Sequence, residues 1–315
     1  MSKIPIILDG DPGHDDAIAW MLAKSNPDFE IIAVTTVAGN QTCEKVTYNA
    51  RRICALLGID APVARGRDVP IIQDLVVTPE FHGETGLDGP ALPEPNRPES
   101  ELYAPELMAK VISESKEKVK IFATGPQSNV GALLLAHPEL HEKIESISIM
   151  GGGIQNGNYA VGAEFNILTD PEAMDIELKS GIPFYMAGLD VTEKALVYPE
   201  DKERIRAVGN QIANVVADWL EFFFIHHAAL GWAGSPLHDP CAVAVQMHPE
   251  IFTIEDMHVD VELDGQYTRG ATVGDRRANS TEIPNAHVLM NVEREKFIEL
   301  LISAVKSYDG WEVKI

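Results

Sequence analysis

Basic residues are scarce in this chain: 25 Lys and Arg stand against 48 Asp and Glu, for a formal net charge of −23. That balance disfavours a nucleic-acid partner, since such binders present basic faces. It leaves small neutral ligands open. Cysteine is sparse too. Cys43, Cys54 and Cys241 fall singly, without a C-x-x-C pair, so neither a disulfide framework nor a zinc site is indicated. No apolar run approaches the length of a membrane span, so no membrane partner is expected. The one early apolar stretch, Ile4–Leu8, is interrupted by Asp9 and has no basic n-region, so no secretory signal is read and the cytoplasm is the expected compartment. Nor is the composition that of a disordered chain: of 315 residues, 45% are hydrophobic and 23% charged, enough to build a large core.

Acid, by contrast, is concentrated at one point. Four aspartates crowd the run Asp9-Gly10-Asp11-Pro12-Gly13-His14-Asp15-Asp16, directly after Ile4–Leu8. The pattern reads as a buried strand, a tight turn and a helix continuing through Ala17–Leu22. Part of it has a purely structural reading. Asp15 and Asp16 suit the positive end of a helix dipole, and Pro12-Gly13 is ordinary turn chemistry. All four together are another matter, because packed carboxylates raise one another's pKa unless a cation or donors sit among them. Oxygen ligands without thiolates favour calcium or magnesium over zinc. A strand end is also where open α/β sheets place their ligands. A metal-centred active site is therefore expected in the first turn of the chain.

Strand-like and helix-like segments alternate along the sequence. Strands are expected at 29–37, 119–123, 144–150 and 183–187, and helices at 42–57, 102–118, 128–136 and 171–180. This rhythm predicts an α/β fold with an open, largely parallel sheet flanked by helices. Residues 66–100 break it with a long Pro- and Gly-rich loop, and 199–230 read as a continuous helical wall ending in Phe222-Phe223-Phe224-Ile225-His226-His227. A small β segment over 257–290 and a closing helix over 293–308 complete the chain, with no linker or repeat, so residues 1–315 read as one domain.

Polar or glycine-rich turns follow the expected strands: Val37-Ala38-Gly39-Asn40, Ala123-Thr124-Gly125-Pro126, Met150-Gly151-Gly152-Gly153 and Ala187-Gly188-Leu189-Asp190. In a parallel sheet all four lie on one rim with the aspartate run, which makes a ligand crevice. Read alone, His238-Asp239-Pro240 fits a helix cap, and Asn158–Asn166 a polar surface loop.

Taken in order, these motifs together with His82-Gly83-Glu84-Thr85-Gly86-Leu87-Asp88-Gly89-Pro90 and Glu164-Phe165-Asn166 resemble the nucleoside hydrolases over nearly the whole chain, most closely their pyrimidine-specific branch. The resemblance implies a Rossmann-like fold and calcium-dependent hydrolysis of ribonucleosides to ribose and free base, with uridine and cytidine preferred. It implies a calcium ion held by Asp11, Asp16, Asp239 and the main-chain carbonyl of Thr124, with Asp11 as the base that deprotonates water. It also implies that Asp15 and Asn40 bind the 2′-hydroxyl, Asn166 and Asp239 the 3′-hydroxyl, and Asn158 with Glu164 the 5′-hydroxyl. Met150 and Phe165 join the substrate pocket on the same ground. Such carboxylates would favour the positive charge that builds on ribose as the glycosidic bond breaks.

The leaving base needs a proton or donors, and His238, then His82, are the candidates. Pyrimidine-type relatives carry a tyrosine and a glutamine in the helical wall. This chain has neither between Phe222 and Leu237, and offers His226, His227 and Trp232 instead. Three other readings stand beside the main one. A broad inosine-uridine hydrolase would share the site. A haloacid-dehalogenase-like phosphatase is suggested by Asp9-x-Asp11, although the lysine and second acidic pair it requires are not evident. A non-catalytic nucleoside sensor would keep the metal site without turnover. The family resemblance further implies a homodimer or homotetramer.

Overall fold

The computed structural model describes residues 2–314. The chain runs β1 (Ile4–Gly10), α1 (His14–Ser25), β2 (Phe29–Thr36), α2 (Cys43–Leu57), β3 (Val63–Arg65), α3 (Pro79–His82) and α4 (Ala104–Glu114). It continues through β4 (Val119–Ala123), α5 (Ser128–Ala136), β5 (Ile144–Met150), α6 (Phe165–Thr169), α7 (Pro171–Leu178), β6 (Phe184–Ala187) and α8 (Leu189–Thr192). The remainder is β7 (Leu196–Val197), α9 (Pro199–Arg206), α10 (Gln211–Ala229), β8 (Ser235–Pro236), α11 (Pro240–Met247), β9 (Phe252–Met257), β10 (Val259–Val261), β11 (Thr272–Gly274), β12 (Ala286–Val292) and α12 (Arg294–Lys306).

Eight strands form one sheet in the order β3-β2-β1-β4-β5-β6-β12-β9. Every neighbouring pair is parallel except β12 with β9. The unbroken apolar character of β1 follows from its position, because a central parallel strand is covered on both faces. Its side chains alternate between two cores. Ile6 and Leu8 join a layer with Trp20, Trp219 and Phe297, while Ile7 joins the opposite layer with Met108, Leu133 and Met174. From β1 the chain winds outward to β2 and β3, then returns to β4 and winds the other way to β5 and β6. The switch point therefore lies between the carboxyl ends of β1 and β4, where such sheets form a crevice.

Four sequence expectations need correction. The wall over 199–230 is two helices, broken at 207–210, where Gly209 has φ +83° and leaves right-handed helical space. The loop over 66–100 contains the short helix α3. The C-terminal β segment is not separate: β9 and β12 extend the central sheet, while β10 and β11 pair outside it, as do β7 and β8. Asp9 is not in the turn but in β1 itself, opposite Thr35 of β2.

Candidate active site

The carboxyl end of β1 delivers Asp11 into a cleft between two other strand ends. Its Oδ2 accepts the Asn40 backbone N–H at 2.6 Å, and its backbone carbonyl accepts Asn40 Nδ2 at 3.1 Å. Glycines flank it for steric reasons. A Cβ on Gly39 would stand 2.2 Å from Asp11 Oδ2, and one on Gly125 would stand 2.7 Å from Oδ1. Asp16, in the first turn of α1, is engaged by donors on both oxygens. Oδ2 accepts the Gly13 N–H at 2.9 Å and Oδ1 the Thr124 hydroxyl at 2.6 Å. Asp239 opens α11 from across the crevice. One carboxylate oxygen from each of Asp15, Asp16 and Asp239 lies within 4.8 Å of the others, and all three side chains are buried.

A second group comes from the turns after β4 and β5. Asn166 Nδ2 donates to the carbonyls of Thr124 at 2.9 Å and Met150 at 3.1 Å. Glu164 caps α6: Oε1 accepts the Asn166 N–H at 2.9 Å, while Oε2 accepts the Gly152 and Ile167 N–H groups at 2.9 and 3.2 Å. Asn158 Oδ1 accepts the Phe165 N–H at 3.0 Å, which ties the polar loop to the start of that helix.

All of these acidic and amide side chains except Asp16 line one cavity of about 370 Å³, within the size range of small-molecule sites. Asp11, Asp15, Asn40, Thr124, Met150, Asn158, Glu164, Phe165, Asn166 and Asp239 line one part of it. His82, His227, Trp232 and His238 line another, with Phe81, Phe223 and Leu230. His226 is not among the lining residues. Its ring lies 4.5 Å from that of Phe81, and its Nε2 has no hydrogen-bond partner among the described residues. Sequence reasoning missed Phe223, Phe81 and Glu193. The first has a signal, because residues 223 and 227 share one face of α10 at helical spacing. Glu193, held by Asn156 Nδ2 at 3.2 Å, has none.

Burial dominates the electrostatics. It lifts Asp9 and Glu164 to about 7, against the hydrogen bonds that each carboxylate accepts. Asp15 rises to about 7 through burial and repulsion from Asp16. Asp11 and Asp239 are pushed well up by burial and by their carboxylate neighbours, and burial raises Asp16 as well. The histidines move the other way: burial lowers His14 to about 4, His238 to about 3, and His82 and His227 below their usual value. Among the described residues lining the cavity there is no Lys or Arg. Hard oxygen atoms converging without a cationic partner make a set that suits a hard divalent metal ion.

Fold and site together define an α/β enzyme with a carboxylate-lined crevice at the sheet's switch point. The chain belongs to the family described as inosine-uridine preferring nucleoside hydrolase, whose model matches residues 6–299. It is 50% identical over 308 residues to the pyrimidine-specific ribonucleoside hydrolase RihA of Escherichia coli O7:K1, covering 97% of this chain and 99% of that protein. The RihA of Escherichia fergusonii matches to the same extent. Among solved structures, the purine-preferring ribonucleoside hydrolase from Gardnerella vaginalis superposes with a TM-score of 0.89 at 30% identity, covering 96% of this chain and 98% of that one. The plant nucleoside hydrolase PpNRh1 gives 0.88 at 28%, covering 96% and 99%. Expected strand ends and helices thus belong to the fold of this family, and the chain is an enzyme of the nucleoside-hydrolase class. Among the described residues no helix is long and apolar enough to cross a membrane.

Proposed function

We propose that the protein hydrolyses the N-glycosidic bond of ribonucleosides, with uridine and cytidine preferred, in a calcium-dependent reaction. One observation carries this reading: buried carboxylates without a cationic partner converge at one end of a nucleoside-sized cavity whose other end is aromatic. The pyrimidine preference is supported by the 50% identity to RihA. Asp11, Asp16, Asp239 and the Thr124 carbonyl would hold the ion, which supplies Lewis acidity that lowers the pKa of water.

Asp11 takes a proton from the attacking water. Asp15 and Asn40 hold the ribose 2′-hydroxyl, Asn166 and Asp239 the 3′-hydroxyl, and Asn158 with Glu164 the 5′-hydroxyl. Carboxylates surrounding the ribose stabilise the positive charge it develops more than they stabilise neutral substrate. At the other end the base departs against Phe223, His227 and Trp232. His238, whose Nδ1 lies 2.8 Å from the Thr192 hydroxyl, faces the leaving group from the same turn that supplies Asp239. His226, with its ring against Phe81, contributes to the wall and not to the contact surface.

We read residues 1–315 as one functional unit, since the central sheet carries the strand ends that lead to Asp11, Asn40, Thr124 and Met150 in one cavity. A homo-oligomer in the cytoplasm is the proposed working form; three unpaired cysteines suit a reducing compartment.

Ribose release from uridine, cytidine, inosine and adenosine, with and without chelation of calcium, tests the whole reading. Chelator-sensitive release, faster from the pyrimidines, is expected. Comparable release from inosine would replace the pyrimidine preference with broad specificity. Absence of release from all four would overturn the hydrolase reading in favour of a nucleoside sensor or a phosphatase.

A further inference from the structure

The turn from β5 to α6 is anchored firmly at its root and sparsely at its tip. At the root, the Gly153 N–H donates to the Thr272 hydroxyl at 2.9 Å, which donates in turn to the Gly153 carbonyl at 3.0 Å. The Ile154 N–H donates to Asp190 Oδ2 at 2.6 Å. Beyond that point the chain turns outward, and Gln155, Asn158, Tyr159 and Val161 are exposed. The backbone bonds of the tip are its own, between Ala163 and both Tyr159 and Ala160. Asn158 Oδ1 reaches only the Phe165 N–H, at the far end of the same turn.

One pair of side chains ties this tip to another element. Asn156 Nδ2 donates to Oε1 and Oε2 of Glu193, 3.2 Å from each. Among the described residues no other hydrogen bond joins 155–163 to an element outside the β5–α6 segment. Glu193 is half-buried at the carboxyl end of α8, a helix fixed to the sheet through the Leu189 N–H, which donates to the Gly152 carbonyl at 2.8 Å. Two consecutive residues thus serve two sides of the cavity. Thr192 reaches His238, and Glu193 reaches the loop whose Gly157, Asn158 and Tyr159 form part of the lining.

A surface loop with few outside contacts opens at little cost in free energy, so one charge-assisted bond weighs heavily on its position. What the loop presents is also defined. Asn158 Oδ1 is occupied by Phe165, which leaves its Nδ2 to donate to a ligand oxygen. We propose that Glu193 is a positioning residue for the 5′ end of the substrate: through Asn156 it holds the loop so that Asn158 Nδ2 meets the 5′-hydroxyl. The 5′ contact rests on the nucleoside reading; the tie between Glu193 and the loop does not.

Both parts are measured on the full-length protein. Hydrogen exchange read by mass spectrometry needs no substrate. In Glu193→Ala and in Asn156→Ala, peptides covering 155–163 are expected to exchange about tenfold faster than in the wild type, with β6 unchanged. Glu193→Gln keeps a carbonyl for Asn156 Nδ2 and should restore most of the protection. Wild-type exchange at the tip in both alanine variants would overturn the tie, and if Glu193→Ala does not fold, Asn156→Ala decides it alone.

Kinetics test what the tie does for substrate. Uridine is compared with 5′-deoxyuridine, which lacks the hydroxyl. The wild type is expected to prefer uridine by about tenfold in kcat/KM, the scale of one hydrogen bond with an unpaired partner. In both alanine variants the ratio should fall toward one. The double variant should fall no further, because the two side chains act as one unit. Glu193→Gln should keep the wild-type ratio. Alanine variants that lose rate on both substrates alike, with the ratio intact, would overturn the positioning role. A ratio lost in Glu193→Ala but kept in Asn156→Ala would put Glu193 on the substrate itself and overturn its action through the loop. A wild-type ratio near one would overturn the 5′ contact. No turnover of any nucleoside would sink that contact and the proposed function together, with the tie still decided by exchange.

Discussion

The Thr124 hydroxyl donates to Asp16 Oδ1 at 2.6 Å, joining the end of β4 to the first turn of α1. The two residues are far apart in sequence and meet only because β1 and β4 are neighbours at the switch point. One bond thus sets the width of the crevice and the aim of a carboxylate. Beneath it, Asp9 Oδ1 accepts the Thr35 hydroxyl at 2.6 Å and Asn129 Nδ2 at 2.8 Å, so the floor is also held by donors from β2 and the first turn of α5.

Asp11→Asn removes the proposed base while leaving an oxygen for the Asn40 N–H. General-base contributions run at about 10²- to 10⁴-fold, so kcat for uridine should fall by that order while the fold persists. Ribose release alongside circular dichroism measures both. A loss under tenfold in kcat would remove Asp11 from the proton transfer.

Calcium should stabilise the protein, and more so at higher pH. Asp9 and Asp15 rise from 3.8, and Glu164 from 4.5, to about 7 in the folded protein without a cation. Folded pKa values above the unfolded ones mean that stability is full below about pH 4 and is lost as pH rises through about 7. A bound cation favours the ionised forms and reverses that loss. Melting followed from pH 5 to 8, with calcium or with chelator, should show the two curves diverging as pH rises. At a hundredfold excess over its dissociation constant the ion adds about 2.7 kcal/mol. Curves that stay parallel would show that no cation binds close enough to shift these carboxylates.

Glu177 in α7 is fully buried, and neither carboxylate oxygen has a hydrogen-bond partner among the described residues. Burial, with Asp9 and Asp170 nearby, pushes it well above its ordinary value. It too destabilises the fold as pH rises. Glu177→Gln removes that titration, so the variant should equal the wild type near pH 5. At pH 8 it should exceed the wild type by about 1–3 kcal/mol, the scale of a buried unpaired polar group. Urea titrations at the two pH values decide it; a variant weaker at pH 8 would show that the ionised carboxylate is satisfied.

Thr192→Val removes the hydroxyl beside His238 Nδ1 and keeps the shape of α8. A lost neutral hydrogen bond of about 1 kcal/mol predicts a kcat for uridine about fivefold lower, with little change in KM. Unchanged kcat would mean that Thr192 does not orient the imidazole.

Where polar punctuation flanks an apolar run, the sequence was read to the residue: β4, α5 and β5 occupy 119–123, 128–136 and 144–150 as expected. β3, at Val63–Arg65, is too short to show a period of its own. The break in the helical wall was concealed because Gly209 lies among residues that otherwise suit a helix. The carboxylates were legible as a motif because the turns that gather them are local. His226 and His227 show the limit. They are adjacent in sequence, yet successive positions on a helix face different ways, and only the packing of α10 against Phe81 and Trp232 separates their surroundings.

The cavity's polar residues are scattered along the chain. Asp11 follows β1, Asn40 follows β2, Thr124 follows β4, Asn166 lies beyond β5, and Asp239 opens α11. Parallel pairing cannot bring neighbours together through a short hairpin, so each such contact closes a long loop before it is rewarded. During refolding, helices and the first strand pairs would form without creating anywhere for a cation to bind. Ion-dependent protection should appear in the slowest phase only, and a chain ending before Asp239 would lack β9, β12 and the α11 and α12 side chains of one core layer as well as one wall of the crevice. Binding competence in this architecture is a late and collective property, a signal that the last long crossover has closed.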